Sequence, residues 1–177
     1  MELNPDKTAR LLQGEVLIEL DWLPDGVIGA SGNVFIKAGL PVVWQMLTDY
    51  DRLSQTMPKV VSSKLVEQQG PVKIIDQSGR SGIFIFETTV HFRLKVNEKY
   101  PKHLHFTQIG GDFKIYEGNW FLEAVDDQSR CGTILTYEAK IKPDFFAPQF
   151  LVSFVQSQDL PTILKGIRAF CQSGSQR

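Results

Sequence analysis

The C-terminal part of the chain carries one long helical pattern, which constrains the fold more than any other feature. From Pro148 to Cys171, apolar residues recur at steps of three and four, so they lie on one face of an α-helix. Between Gly26 and Pro143 the pattern alternates instead, as in β-strands with one buried face. One long helix therefore has a large antiparallel sheet to pack against, which predicts an α+β fold.

Turn residues and periodicity give the order of the remaining elements. A short strand fits residues 14–20, the first main strand is predicted at 27–38, and two short helices follow at 40–58. Further strands are predicted at 60–67, 72–78, 81–96, 103–109, 112–125 and 132–142. Short links, such as Ser78-Gly79-Arg80, separate them, which predicts an antiparallel meander of about seven strands.

Length and charge limit the protein class. The chain of 177 residues fits a single domain over residues 1–177, with a lead-in segment at 1–13 and a disordered tail at 172–177. With 19 basic and 20 acidic residues, the chain has no net positive charge that would attract nucleic acid. The N-terminus shows no signal-peptide pattern and the two cysteines show no paired spacing, so a cytoplasmic protein is expected.

Pro161 lies inside the long helical pattern. A proline in a helix removes one backbone hydrogen bond and its ring crowds the preceding turn. The helix is therefore predicted to kink or split near residues 158–160, which would make its first half a movable lid.

Several segments resemble the START-like superfamily. VWQMLTDYDRLSQTMPKVVSSKLVE is similar to its signature, in which a Trp-bearing helix leads into a Leu-Thr-Asp-Tyr element and a Met-Pro before the next strand. GNWFLEAV and TILTYEAKIKP also match, particularly the coenzyme Q-binding and polyketide cyclase/dehydrase-like branch found in photosynthetic bacteria. The resemblance runs from about Val27 to Ile167. It implies a helix-grip fold, in which the curved sheet wraps around the C-terminal helix and encloses a hydrophobic cavity.

Strand periodicity indicates which side chains would line this cavity. In the strand 81–96 the even positions face inward, because the odd positions include His91, Arg93 and Lys95. In the strand 112–125 both faces are apolar; we assign Trp120 inward and allow a bulge near Gly118 to change the phase. The predicted cavity residues are Phe84, Phe86, Thr88, Val90, Phe92, Leu94, Leu104, Phe106, Tyr116, Trp120, Leu135, Tyr137, Phe150, Leu151, Phe154 and Leu164. Polar groups expected inside are Thr88, Gln77, Gln108 and the hydroxyls of Tyr116 and Tyr137.

The sequence carries no strong catalytic or metal-binding pattern. It has no nucleophile elbow and no His-Glu-x-x-His segment, and His103 and His105 fit solvated strand positions. Cys171 fits an inert core thiol. An acid/base pair of Asp76 with Tyr137 stays open, because proximity across strands is invisible in a sequence. No catalytic residue, metal or cofactor is predicted.

Three function classes are compatible with these observations. The first is a carrier of a hydrophobic small molecule, such as an isoprenoid quinone or a lipid, which could be collected by peripheral contact with a membrane. The second is a cyclase or dehydratase acting on a polyketide-like or aromatic substrate in the same cavity. The third is a partner-binding module whose aromatic residues fill a core. The inward positions contain almost no ionisable residues, which favours a carrier over an enzyme. The oligomeric state is not indicated.

Overall fold

The computed structural model describes residues 4–81, 88–127, 130–144 and 149–174. These residues form one antiparallel sheet and four α-helices, which confirms the predicted α+β architecture. The strands are β1 (Val16–Trp22), β2 (Ile28–Ile36), β3 (Val60–Gln69), β4 (Val72–Ser81), β5 (Thr88–Lys99), β6 (His103–Gly111), β7 (Phe113–Asp127) and β8 (Arg130–Pro143). The helices are α1 (Pro5–Leu12), α2 (Leu40–Thr48), α3 (Leu53–Thr56) and α4 (Gln149–Gly174).

The strand order in the sheet is β1-β2-β8-β7-β6-β5-β4-β3. From β3 to β8, strands that follow one another in sequence are also neighbours in space, as the short links predict. Strand β2 pairs with β8, so the first main strand lies beside the last one. Helix α4 packs on the sheet mainly against β1 and β2. This arrangement is the helix-grip fold, with β1 as an additional edge strand.

The predicted turn at Ser78-Gly79-Arg80 is wrong. Strand β4 continues through these residues and pairs with β5 as far as Ser81, which lies opposite Thr88. The Arg80 amide also donates a hydrogen bond to the Lys59 carbonyl, 2.8 Å away, so the backbone is held from a second side. Ladder hydrogen bonds thus override the local turn preference. The predicted strand 81–96 accordingly begins at Thr88 in its described part, and Phe84 and Phe86 lie outside the described residues.

Two glycines allow close packing around α4. A Cβ atom built on Gly32 of β2 would lie 2.7 Å from Leu164 Cδ1. A Cβ atom on Gly166 of α4 would lie 2.1 Å from Cγ of Pro58, in the segment that links α3 to β3. A side chain at Gly32 would force the Leu164 side chain to shift, and a side chain at Gly166 would collide with the rigid Pro58 ring.

Helix α4 runs through Pro161 without interruption, so the predicted split is wrong. Leu160 and Leu164, on either side of the proline, are almost fully buried, and their packing holds this part of the helix in place. The Thr162 hydroxyl donates to the Gln158 carbonyl, 3.0 Å away.

Residues 172–174, which were predicted to belong to a disordered tail, lie in α4, because the helix extends to Gly174. No helix in the described ranges has both the length and the apolar character needed to cross a membrane.

The N-terminal segment forms a packed helix where the sequence suggested a lead-in with little to bury. Asn4 caps α1 by accepting a hydrogen bond from the Asp6 amide, 3.0 Å away. Leu11 is fully buried in a small second core with Leu17, Phe35 and Ile134. These residues alternate with the inward-facing ones of β2 and β8, so α1 covers part of the outer face of the sheet.

Strand β3 forms the sheet edge opposite β1, and it is irregular. Its register with β4 shifts between Val60 and Ser62 and again between Leu65 and Glu67, which marks two bulges. The Leu65 amide donates to the Asp51 carboxylate, 2.8 Å away, instead of to a neighbouring strand.

The packing of Pro58 on α4 gives a stability prediction. Gly166→Ala would normally favour a helix by about 0.5–1 kcal/mol. Here the new methyl group meets the rigid proline ring, and we expect a net loss of about 1–3 kcal/mol in the free energy of unfolding, measured by urea denaturation. The neighbouring Lys165→Ala, at an exposed position, serves as the control and should change stability by less than about 0.5 kcal/mol. A Gly166→Ala protein as stable as the parent would contradict the contact.

Candidate functional site

A cavity of about 180 Å³ lies between the sheet, the α2–α3 segment and helix α4. Strands β4 to β8 provide most of its wall, and α4 contributes Asp159, Leu160 and Ile163. The wall is mainly apolar and aromatic. The volume is below the roughly 300–1,000 Å³ of typical pockets for drug-sized ligands. It is comparable to an engineered apolar cavity of about 150 Å³ that holds one benzene molecule.

The structure places eight of the predicted residues together on the cavity wall. They are Val90, Phe92, Leu94, Leu104, Phe106, Tyr116, Trp120 and Tyr137. Phe84 and Phe86 lie outside the described residues, as do the side chains of Thr88, Phe150, Leu151 and Phe154.

Leu135 and Leu164 are fully buried but do not line the cavity, which corrects their assignment. Leu135 lies between Val34 of β2 and Leu122 of β7, at the part of the sheet that α4 covers. Leu164 fills the space above Gly32. The cavity therefore begins where the close packing of α4 on β2 ends.

Phe113 lines the cavity together with Tyr116, although the two residues are three positions apart in β7. Strict alternation would place these two rings on opposite faces. The register shift between Phe113 and Ile115 is a bulge that changes the phase, so the bulge lies near Phe113 and not near Gly118 as predicted. The Gln108 amide donates to the Phe113 carbonyl, 2.6 Å away. Gln108 thus supports the bulge and is not itself part of the wall.

The α2–α3 segment supplies a further part of the wall that the strand analysis missed. Leu47, Tyr50, Leu53 and Met57 all face the cavity. The Tyr50 hydroxyl donates to Glu98, 2.6 Å away, and burial together with this carboxylate raises the pKa of Tyr50 well above its usual value. Glu98 does not line the cavity. The Tyr50 hydroxyl is bound to Glu98, so Tyr50 contributes its ring to the cavity wall. The amphipathic pattern of 43–57 was the sequence signal that could have identified this wall.

Six rings on the cavity wall form one continuous set of contacts, which we call the aromatic wall: Phe113, Phe92, Tyr116, Phe106, Tyr137 and Trp120. Ring centroids are 5.3 Å apart for Phe92 and Tyr116 and 4.6 Å apart for Trp120 and Tyr137. Most pairs are edge-to-face or tilted, the arrangements that aromatic quadrupoles favour. Because each ring supports the next, the wall resists collapse into the empty space.

Tyr116 and Tyr137 form the polar centre of the aromatic wall. Burial raises the pKa of both phenols, so both stay protonated at neutral pH. Their hydroxyls are in hydrogen-bonding contact, which lowers the pKa of Tyr116 in part and raises that of Tyr137 further. Each phenol carries a single O–H proton, so the contact between the two hydroxyls can use only one of the two protons.

Charged side chains also reach the wall, contrary to the sequence expectation. Lys59 and Asp159 form an ion pair with 3.0 Å between Nζ and Oδ1, and only 8% of the Asp159 side chain is exposed. Arg80 lines the same region. Lys59 has a φ angle of 69°, a left-handed conformation that few non-glycine residues adopt. No sequence pattern indicates this ion pair, because its members are distant in the chain.

The other polar hypotheses are resolved by the position of each residue. Asp76 lies on the outer side of the sheet, where the Arg93 guanidinium lowers its pKa through two hydrogen bonds, so a pair with the buried Tyr137 is wrong. His103 and His105 both contact the Asn119 amide oxygen, at 2.9 and 3.1 Å. Within the described ranges, no three His, Cys, Asp or Glu residues are grouped so that they could hold a metal ion.

The sequence matches one described protein family over most of its length. Residues 36–168 match the family described as polyketide cyclase/dehydrase and lipid transport. Helix α1 and strand β1 precede this match. No curated protein sequence matches the chain.

Solved structures with the same fold include a protein described as a cyclase and a protein described as a lipid transfer protein. A START superfamily protein from Mycobacterium smegmatis is 13% identical, with a TM-score of 0.70 over 82% of this chain and 97% of that chain. The Zhui aromatase/cyclase from a Streptomyces species is 10% identical, with a TM-score of 0.67 over 82% and 94%. A STAR-related lipid transfer protein from Xanthomonas axonopodis is 17% identical, with a TM-score of 0.65 over 88% and 98%. At these identities the likeness establishes the fold.

The two cysteines should differ sharply in reactivity. Cys171 is 1% exposed, and burial raises its pKa to about 11, so it stays a thiol at pH 8. Cys131 is exposed. We expect a disulfide reagent to label one thiol of the native protein and the second only after unfolding. In Cys131→Ser the native protein should show no prompt labelling. Prompt labelling of that variant would show that Cys171 is accessible.

Proposed function

Because the chain belongs to the polyketide cyclase/dehydrase and lipid transport family, we propose that it binds and carries an uncharged hydrophobic small molecule. The observation that supports this most directly is the cavity of about 180 Å³ with its aromatic wall. Apolar walls with a few polar groups bind and orient a ligand without transforming it. The titratable groups at the centre of the wall are two phenols that stay protonated, which suits binding better than proton transfer.

The cavity volume limits which part of a ligand it can enclose. A space slightly larger than one that holds benzene accommodates a single substituted ring. If the ligand is an isoprenoid quinone or a related lipid, we propose that its ring occupies the cavity and that its chain lies outside. We further propose that residues 1–177 act as one cytoplasmic domain that collects this ligand at a membrane surface, where a poorly soluble molecule is concentrated.

A cavity-filling substitution tests whether the cavity is the binding site. Ile163 lines it from α4, and Ile163→Trp should occupy the space with an indole ring. We expect the affinity for ethylbenzene, measured by NMR titration, to fall at least about tenfold, while the melting temperature shows that the variant folds. Ile109→Trp changes an exposed residue outside the cavity and should leave the affinity unchanged. Unchanged binding to Ile163→Trp would exclude the cavity as the site.

The ion pair of Lys59 with Asp159 supports one alternative, a cyclase or dehydratase acting on a polyketide-like or aromatic substrate. It places a nearly buried carboxylate on the cavity wall, where an acid or base could act.

Extraction of the native ligand distinguishes these two functions. Native mass spectrometry followed by organic extraction identifies the bound compound, which is then incubated with the protein. For a carrier, the compound is recovered unchanged at every time point. For an enzyme, it is converted, and Asp159→Asn lowers turnover by about 10²- to 10⁴-fold while binding persists.

A further inference from the structure

We propose that the cavity selects a neutral, flat, single-ring molecule that carries an oxygen acceptor, such as an aryl ketone or a quinone ring, and that the Tyr116–Tyr137 pair recognises this oxygen. The inference rests on the proposed binding function and specifies its ligand. It follows from three independent features of the cavity: its size, the aromatic wall, and the number of hydroxyl protons in the tyrosine pair.

The first feature is size. About 180 Å³ exceeds by little the space that encloses benzene, so one ring with a short substituent fills it. A fused multi-ring molecule or a long acyl chain does not fit inside this volume.

The second feature is the shape of the wall. The aromatic wall presents ring faces and edges, with interplanar angles of 80° for Phe92 and Tyr116 and 50° for Trp120 and Tyr137. A flat aromatic guest can continue these edge-to-face contacts, whereas a saturated ring of the same size cannot. Such contacts favour the aromatic guest by about two- to tenfold in affinity.

The third feature is a count of hydroxyl protons. Tyr116 and Tyr137 both line the cavity and together carry two O–H groups, and a contact between their hydroxyls can use only one of these protons. Among the residues that the structure describes, none is shown accepting the second proton. A buried donor without an acceptor is costly, so a guest that brings an oxygen acceptor is favoured over a hydrocarbon of the same shape.

Charge selection follows from the surroundings of the pair. Phe106, Phe92 and Trp120 surround the two tyrosines with apolar surface. A carboxylate placed there would lose its hydration, and the nearby phenols offer no opposite charge. A ketone or quinone oxygen accepts the same hydrogen bond without this cost.

Four small probes of similar size test the proposal with the full chain. Acetophenone has a flat ring and a ketone oxygen, ethylbenzene lacks the oxygen, cyclohexyl methyl ketone lacks the aromatic ring, and benzoate carries a charge. Dissociation constants are measured by NMR titration. We expect acetophenone to bind at least about fivefold more tightly than ethylbenzene, and more tightly than the other two. Ethylbenzene is more hydrophobic than acetophenone, so burial of apolar surface alone would make ethylbenzene the tighter ligand.

Tyr→Phe variants test whether the two cavity tyrosines recognise the ketone oxygen. The double variant Tyr116→Phe/Tyr137→Phe should abolish the preference for acetophenone over ethylbenzene, because both ring volumes are kept and only the hydroxyls are lost. Each single variant keeps one hydroxyl and should retain part of the preference. Tyr100→Phe removes an exposed hydroxyl outside the cavity and should retain the full preference. Retention of the full preference in the double variant would overturn the proposal.

The probes also separate this inference from the proposed function. If ethylbenzene binds as well as acetophenone to the parent protein, the ligand class is wrong while hydrophobic binding stands. Tighter binding of benzoate than of acetophenone would overturn the proposal as well, and would assign recognition to the cationic side chains on the wall. If no neutral probe binds, the proposed carrier function fails and the ligand class fails with it.

Discussion

The close contact between Leu164 of α4 and Gly32 of β2 determines where the interior is solid and where it is hollow. Without a side chain at Gly32, Leu164 and Leu160 of the helix pack directly on the backbone of β2. The contact of Gly166 with Pro58 fixes the same half of the helix from the opposite direction. One helix is too narrow to cover a sheet of eight strands, so the concave surface of β4 to β7 is left for the cavity. The close packing of α4 on β2 and the cavity beside it thus have the same structural cause.

The side chains that line the empty space explain why it does not close. Long aliphatic residues could change rotamers and fill a void of this size, but aromatic rings have few rotatable bonds and support one another. On the opposite side, the hydrogen bond from Tyr50 to Glu98 of β5 fixes the position of the α2–α3 segment relative to the sheet. Lys59, in the link between α3 and β3, forms an ion pair with Asp159 of α4. The rigid rings, the hydrogen bond and the ion pair together fix the positions of the cavity walls.

Sequence patterns predicted the elements well and the cavity in part. Alternation placed Phe92, Leu94, Phe106 and Trp120 on the inward face, because these strands are regular at those positions. It missed Phe113, because a bulge shifts the phase and leaves no clear trace in the sequence. It also assigned Leu164 to the wall, since a helical stripe does not show where the facing sheet stops. The ion pair of Lys59 with Asp159 joins residues that are distant in the chain, and only the tertiary structure brings them together.

The two bulges in β3 have a consequence for how copies of this chain meet. An edge strand with a regular row of free amides and carbonyls is a template on which another chain can add a strand. In β3 the register breaks twice within ten residues, and the Asp51 carboxylate occupies one of the amides that would otherwise be offered. A second chain can therefore find only short stretches of matching backbone along this edge. The irregular β3 edge therefore disfavours growth of the sheet in that direction by strands from other chains.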